Sequence, residues 1–89
     1  MTRKEMLEKT ISIVCEDGEQ QYGKPEDNFN EIAKLWSIYL GYPISAKDVA
    51  IMMALLKIAR IKSGMHKDDN YIDLAGYAAC ACECAPREE

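Results

Sequence analysis

The 89-residue sequence lacks several features that would assign it to a special class of protein. It contains only 5 glycines and 3 prolines, which excludes collagen-like and low-complexity sequence. No apolar run approaches the roughly 18 to 20 residues that span a bilayer. Residues 1–6 have no apolar core of the kind found in signal peptides. These absences predict a cytoplasmic protein with no membrane partner.

The sequence also lacks a surplus of positive charge. It has 11 Lys and Arg against 15 Asp and Glu, for a formal net charge of −4. Proteins that bind duplex DNA usually neutralise its phosphates with Lys and Arg. The acidic balance therefore disfavours DNA or RNA as a partner, but it leaves room for a local basic site that holds a small phosphorylated ligand.

The cysteines do not indicate a disulfide framework or a structural zinc site. Cys80, Cys82 and Cys84 alternate, and on a helix this spacing places Cys82 on a different face from the other two. Zinc ligands usually come as two separate close pairs. Together with Cys15, these residues are interpreted as reduced thiols that serve as small packing residues.

Apolar residues recur with helical spacing, which predicts a single compact all-α domain over residues 1–89. Asp17–Gly18 is interpreted as the end of the first helix, and residues 19–24 as a loop. One face of the second helix is expected to be buried from Phe29 to Leu40, including Tyr39. The four predicted helices cover about residues 2–16, 25–41, 45–63 and 69–84.

The last two predicted helices form an antiparallel hairpin because their connection is short. Ser45 begins a capping box for the third helix, and Asp68 or Asp69 is expected to cap the fourth. Small residues in the fourth helix predict a close crossing with another helix. The third helix is apolar nearly all round over residues 49–61, which predicts a homo-oligomer that covers its second face.

The hairpin should bring charged residues to one end of the bundle. One interpretation is a set of ion pairs in which Lys57 and Arg60 neutralise Asp69 and Asp73. The other is a phosphate pocket, because Lys and Arg bind phosphate, with tyrosine rings available to stack on a base. The candidate ligand-binding residues are Lys57, Arg60, His66, Lys67, Asn70, Tyr22 and Tyr71.

Several strings match a known pattern in order: QYGKPEDNF at 21–29, LLKIAR at 55–60, HKDDN at 66–70 and GYA at 76–78. They resemble a small family of uncharacterised proteins encoded mainly by tailed phages and prophages. The likeness covers about residues 5–83. It implies a phage protein in the cytoplasm of a bacterial host, and it brings no established function with it.

A more distant likeness is to the MazG-like all-α nucleotide pyrophosphohydrolases. These enzymes bind Mg²⁺ through acidic motifs on two helices and cut nucleoside triphosphates to monophosphate and pyrophosphate. Asp69 and Asp73 echo one motif, and Asp27 and Glu31 echo the other, although neither pair has the spacing of that family. The resemblance implies a Mg²⁺ site at these four residues, and the altered spacing argues against catalysis more than against ligand binding.

The sequence thus leaves three hypotheses. The preferred one is a phage-type protein that binds a phosphorylated nucleotide, including a cyclic or signalling one, at the end of the hairpin and sequesters it. The first alternative is a Mg²⁺-dependent, MazG-like nucleoside triphosphate pyrophosphohydrolase. The second is a structural or protein-interaction module in which the charged cluster is internally paired.

Overall fold

The computed structural model describes residues 1–86, and residues 87–89 of the predicted domain lie outside this range. All the regular structure within residues 1–86 is helical. The prediction of an all-α fold is confirmed. The first predicted helix corresponds to three consecutive helical elements. In chain order the elements are α1 (Arg3–Ile11), a π-helical segment (Ser12–Asp17), α2 (Gly18–Tyr22), α3 (Pro25–Leu40), α4 (Ala46–Ser63) and α5 (Asp68–Cys84).

The prediction that the first helix ends at Asp17–Gly18 is wrong. Gly18 has helical dihedral angles, φ −62° and ψ −44°, and its N–H donates to the carbonyl of Ile13, five residues earlier. The helical path ends instead at Gly23, whose φ of +79° is rarely adopted by residues with a side chain. Residues 19–22, expected in a loop, therefore form the end of α2.

The capping prediction is confirmed for α4 and wrong for α5. Ser45 Oγ accepts a hydrogen bond from the Asp48 N–H at 3.1 Å, and Asp48 Oδ2 accepts one from the Ser45 N–H at 3.0 Å. The residue that caps α5 is Lys67, with no side-chain hydrogen bond. Asp68 is already helical and its carboxylate lies against His66, so it does not cap the helix.

The core lies where α3, α4 and α5 meet, and the π segment packs against it. Gly76 allows α5 to approach the π segment closely, because a Cβ atom at this position would lie only 2.7 Å from Val14 Cγ2. The predicted close crossing of the small-residue helix is thus present: α5 packs against α4 and α1, and Gly76 lies close to Val14 in the π segment that continues α1. The buried core residues are Phe29, Ala33, Ala46, Val49, Ala50, Cys80 and Ala81.

The last turn of α3 lies outside this core. Tyr39 is 89% exposed and Leu40 is 53% exposed, so the prediction that both are buried is wrong. The side chains of α3 that pack on the core end at Trp36. The helical period correctly identified the buried face, but nothing covers its final turn within residues 1–86.

The outer side of α4 is apolar and exposed, as expected for a helix that is apolar nearly all round. The homo-oligomer predicted to cover it stays a prediction. None of the helices in residues 1–86, α4 included, is long and apolar enough to cross a membrane. The exposed apolar side chains of α4 are Ile51, Met52, Leu55, Leu56 and Ile58.

Candidate functional site

A cavity of about 340 Å³ lies between the π segment, the turn from α2 to α3, and the middle of α5. Its walls are mostly apolar, with aromatic rings and a few hydrogen-bonding groups. A cavity of this character is the usual form of a small-molecule site. The lining residues are Ile13, Val14, Gly18, Tyr22, Gly23, Pro25, Asn28, Phe29, Ile32, Trp36, Val49, Met53, Asp73, Gly76, Tyr77 and Cys80.

Local backbone features shape this cavity. The π segment contributes Ile13 and Val14, and π-helical turns inside α-helices occur frequently at functional sites. Gly23 reverses the chain so that Pro25 begins α3 beside the cavity. Gly76 leaves the space that Val14 occupies. Residues from distant parts of the sequence therefore line one cavity.

The principal charged group of the cavity is the Asp73 carboxylate. Lys57 Nζ donates a hydrogen bond to Asp73 Oδ2 at 2.9 Å, and the Lys57 side chain is only 12% exposed. An ammonium group with so little solvent needs a counter-charge, which Asp73 supplies. The expected ion pair between the two hairpin helices is present here. Arg60 and Asp69 are exposed, and neither forms an ion pair within the described residues.

Tyr77 lies beside this ion pair and also lines the cavity. Its ring centroid is 6.3 Å from that of Phe29, in a tilted arrangement. Burial raises the pKa of the Tyr77 hydroxyl, while the positive charges of Lys57 and Arg60 oppose that rise and the Asp73 carboxylate adds to it. The hydroxyl is therefore neutral at physiological pH and can both donate and accept a hydrogen bond.

The predicted loop residues lie in a different place. His66 Nε2 is 2.9 Å from Asp68 Oδ1, and the His66 ring centroid is 5.6 Å from that of Tyr71. These residues border a hollow of about 300 Å³ beside the start of α1, which also includes Arg3. We call this second hollow the loop groove. The structure thus divides the predicted site, with Tyr22 and Asp73 at the cavity and His66 and Tyr71 at the loop groove.

Four of the predicted ligand-binding residues line neither hollow: Lys57, Arg60, Lys67 and Asn70. Lys67 is exposed and Asn70 is partly buried. Contact with Lys67 or Asn70 would need a ligand that extends beyond the cavity or the loop groove.

The predicted metal residues do not form one cluster. Glu31 is bound to Lys34 at 3.4 Å on an exposed part of α3, and Asp27 is exposed. Within residues 1–86, no three His, Cys, Asp or Glu side chains lie together as metal ligands. Binding of Mg²⁺ stays a hypothesis, and the structure gives no single site shared by the four proposed ligands, Asp69, Asp73, Asp27 and Glu31.

Sequence reasoning passed over several cavity residues. Asn28 and Gly76 are not among the ligand-binding residues that the sequence predicts, and Tyr77 enters that prediction only as one of the tyrosine rings available for stacking. Trp36 falls on the expected buried face of the second helix. Asn28, Gly76 and Tyr77 lie in the strings that carry the family resemblance, which is the signal that could have identified them. No sequence signal marks the π segment, because its residues are typical of the end of an ordinary α-helix.

The sequence profile of a family described as "Domain of unknown function (DUF6378)" matches residues 5–85. The chain belongs to this family. The Gene 55 protein of Mycobacterium phage D29 is 43% identical over 75 residues, which cover 84% of this chain. The Gene 55 protein of Mycobacterium phage L5 is 45% identical over 60 residues, which cover 66% of it. No solved structure matches the chain.

This member of the DUF6378 family spans only part of its curated relatives, 50% of the D29 protein and 38% of the L5 protein. The relatives confirm the expectation of a phage protein family, whereas the likeness to MazG-like enzymes stays a prediction. All residues that line the cavity lie within the matched range 5–85.

Proposed function

We propose that this protein is a nucleotide-binding module whose cavity holds the base of a phosphorylated nucleotide. One observation carries the proposal: two of the strings that mark the family resemblance, at 21–29 and 76–78, contribute residues to one cavity with aromatic walls. Tyr22 and Asn28 come from the first string, and Gly76 and Tyr77 from the last. The proposed place differs from that of the sequence hypothesis, because the ligand would lie in the cavity instead of at the end of the α4–α5 hairpin. The proposed class of ligand is the same.

The size of the cavity fits a base with part of its sugar. Its 340 Å³ lies near the lower limit of the roughly 300 to 1,000 Å³ found for ligand pockets. Trp36, Phe29 and Tyr77 offer ring faces, and stacking of a base on an aromatic ring is worth about 1 to 3 kcal/mol. Asn28 and Asp73 offer hydrogen bonds to polar atoms at the base edge.

Phosphate groups would remain at the rim, where positive charge is exposed. Arg60 forms no ion pair within residues 1–86, yet it lies near enough to Tyr77 to affect the pKa of its hydroxyl. Arg can bind a phosphate through two parallel hydrogen bonds. Lys24, also exposed, lies between the lining residues Gly23 and Pro25. Lys57 has a different role, because its charge is neutralised by Asp73.

The proposal is for binding, with sequestration of the nucleotide as its consequence in the cell. Hydrolysis through Mg²⁺ would require several carboxylates at one place. Glu31 is engaged by Lys34, and Asp73 is engaged by Lys57. No observation within residues 1–86 favours hydrolysis over binding.

Fluorescence of Trp36 tests the proposal, because it is the only tryptophan and it lines the cavity. Purified protein would be titrated with mono-, di-, tri- and cyclic nucleotides, with and without Mg²⁺, and the ligand would then be analysed for cleavage. We expect at least one nucleotide to change the Trp36 emission saturably and to be recovered intact. Failure of every nucleotide to bind, or cleavage of the bound nucleotide, would contradict the proposal.

A tyrosine pair locates the site. Tyr22→Ala removes a ring at the cavity, whereas Tyr71→Ala removes one at the loop groove. We expect Tyr22→Ala to weaken binding about tenfold, equivalent to about 1.4 kcal/mol, and Tyr71→Ala to leave it unchanged. The reverse result would place the ligand in the loop groove.

A pair of basic residues on α4 tests the phosphate contact. Arg60→Ala should weaken binding of a triphosphate by about tenfold. It should have much less effect on the matching nucleoside. Lys62→Ala removes an equally exposed positive charge near the end of the same helix and serves as the control. Equal losses in both variants would show general charge attraction in place of a phosphate contact at Arg60.

A further inference from the structure

The outer side of α3 carries an apolar surface that the core does not use. Leu35, Ile38, Tyr39 and Tyr42 are 66%, 80%, 89% and 69% exposed, and we call them the outer α3 patch. Isolated exposed apolar residues are common, but a contiguous group of this size marks an interaction surface.

Helical spacing places this patch on one face. Leu35, Ile38 and Tyr39 are separated by three and four residues, so their side chains are neighbours on α3. Tyr42 follows just after the helix ends. Phe29 and Ala33, on another side of the same helix, are buried in the core. The patch is therefore separate from both the core face and the cavity.

The distribution of charge favours a second copy of this chain as the partner. No charged residue occurs from Leu35 to Ala46, although 29% of the whole sequence is charged. At the nearest edge, Lys34 and Glu31 form an ion pair with each other. Two copies that meet through this patch would place an uncharged stretch of each chain at the centre of the contact, despite a net charge of −4 on each copy.

The patch supplies a central part of the area that a standard interface needs. A tyrosine buries about 150 to 250 Å² when fully covered, so Tyr39 and Tyr42 alone provide on the order of 300 Å². That is a substantial part of the roughly 800 Å² that each partner contributes to a stable interface. Leu35 and Ile38 add aliphatic area between and beside them.

We propose that the outer α3 patch is the contact between two copies of this chain, related by a two-fold axis. Such a contact uses the same surface on both copies, so one self-complementary helical face is sufficient. The exposed face of α4, which the sequence suggested as the interface, is less exposed, at 41–57%, and is followed by Arg60 and Lys62.

Light scattering coupled to size-exclusion chromatography tests this proposal with a matched pair of substitutions. Ile38→Lys places a charge in the outer α3 patch, and Ile58→Lys places the same charge on the exposed face of α4. We expect a dimer for the wild type and for Ile58→Lys, and a monomer for Ile38→Lys. Circular dichroism would check that each variant keeps its helices.

Tyr39→Arg is a second variant of the patch, should Ile38→Lys lose its helical signal. Tyr39 is so exposed that the change should not affect folding of one copy. A monomeric wild type would overturn the proposal. A dimer that persists in the folded patch variants, or one that Ile58→Lys also dissociates, would overturn it as well.

Discussion

Two polar side-chain contacts of the α4–α5 hairpin have equal lengths and different surroundings. Lys57 Nζ lies 2.9 Å from Asp73 Oδ2, and His66 Nε2 lies 2.9 Å from Asp68 Oδ1. The Lys57 side chain is 12% exposed, whereas that of His66 is 72% exposed. One pair is beside the cavity and the π segment, and the other is in the loop groove.

Distance alone therefore says little about what each pair contributes. An exposed pair exchanges contacts with water for contacts with its partner and gains 0 to about 1 kcal/mol. A pair with a buried member behaves differently, because removing one partner leaves a charge without water or counter-charge. The region beside the cavity should therefore respond strongly to substitution, and the loop groove weakly.

The largest expected effect is that of Asp73→Ala, which leaves the Lys57 ammonium largely buried and unpaired. We expect a loss of about 2 to 3 kcal/mol in the free energy of unfolding, measured by urea denaturation. The side chain of Asp73 is itself 37% exposed, which reduces the effect below that of a fully buried pair. In the double variant with Lys57→Met, part of the loss should be recovered. Equal losses in both would contradict the electrostatic explanation.

Gly76→Ala tests packing in the same region. The new Cβ would lie 2.7 Å from Val14 Cγ2, so the variant should lose about 2 kcal/mol of stability. At an unhindered helical position the same change stabilises by up to about 1 kcal/mol. Thermal denaturation distinguishes the two signs. Adding Val14→Ala should relieve the clash, so that the double variant loses less than the sum of the single losses.

The buried thiol of α5 gives a pH-dependent test. Burial, with smaller contributions from neighbouring acidic groups, raises the pKa of Cys80 to about 11 from an ordinary 9.0. Above pH 9 the unfolded chain loses this proton while the folded chain keeps it, so stability falls as pH rises toward 11. Cys80→Ala should reduce that fall by on the order of 1 kcal/mol. An identical alkaline profile for both proteins would contradict the assignment.

The smallest expected effect belongs to the loop groove. His66→Ala removes the exposed contact with Asp68 and the contact with Tyr71, and we expect a loss of about 0.5 kcal/mol or less in urea denaturation. A loss above about 1 kcal/mol would mean that the two regions differ less than their burial indicates.

Local signals predicted much of the fold. The helical period identified α3, α4 and α5, and the Ser45 capping box marked the start of α4. Failures occurred where tertiary contacts decide. Gly18 and Gly23 are both plausible helix ends in sequence, and only the structure shows that the positive φ belongs to Gly23. Tyr39 fits the buried period but lies beyond the elements that could cover it.

The candidate site was predicted only in part. Lys57, Asp73 and Tyr22 were identified from charge and position, and the structure places them at or beside the cavity. The sequence could not separate these residues from His66 and Tyr71, because closeness along a hairpin does not determine which side of it a residue faces. That separation depends on how α1 and the π segment that continues it lie against α5, which no local pattern reveals.

A single-codon deletion would affect Tyr22 differently inside and outside the π segment. Each residue advances an α-helix by about 100°, and the bond from the Gly18 N–H to the Ile13 carbonyl includes one residue more than an α-helical bond. Removing the exposed Glu16 would restore α-helical spacing and change the direction that Tyr22 faces only slightly, because the wide turn already takes up the additional residue. Removing a residue from α1 would instead rotate everything after it, Tyr22 included, by more than a quarter turn.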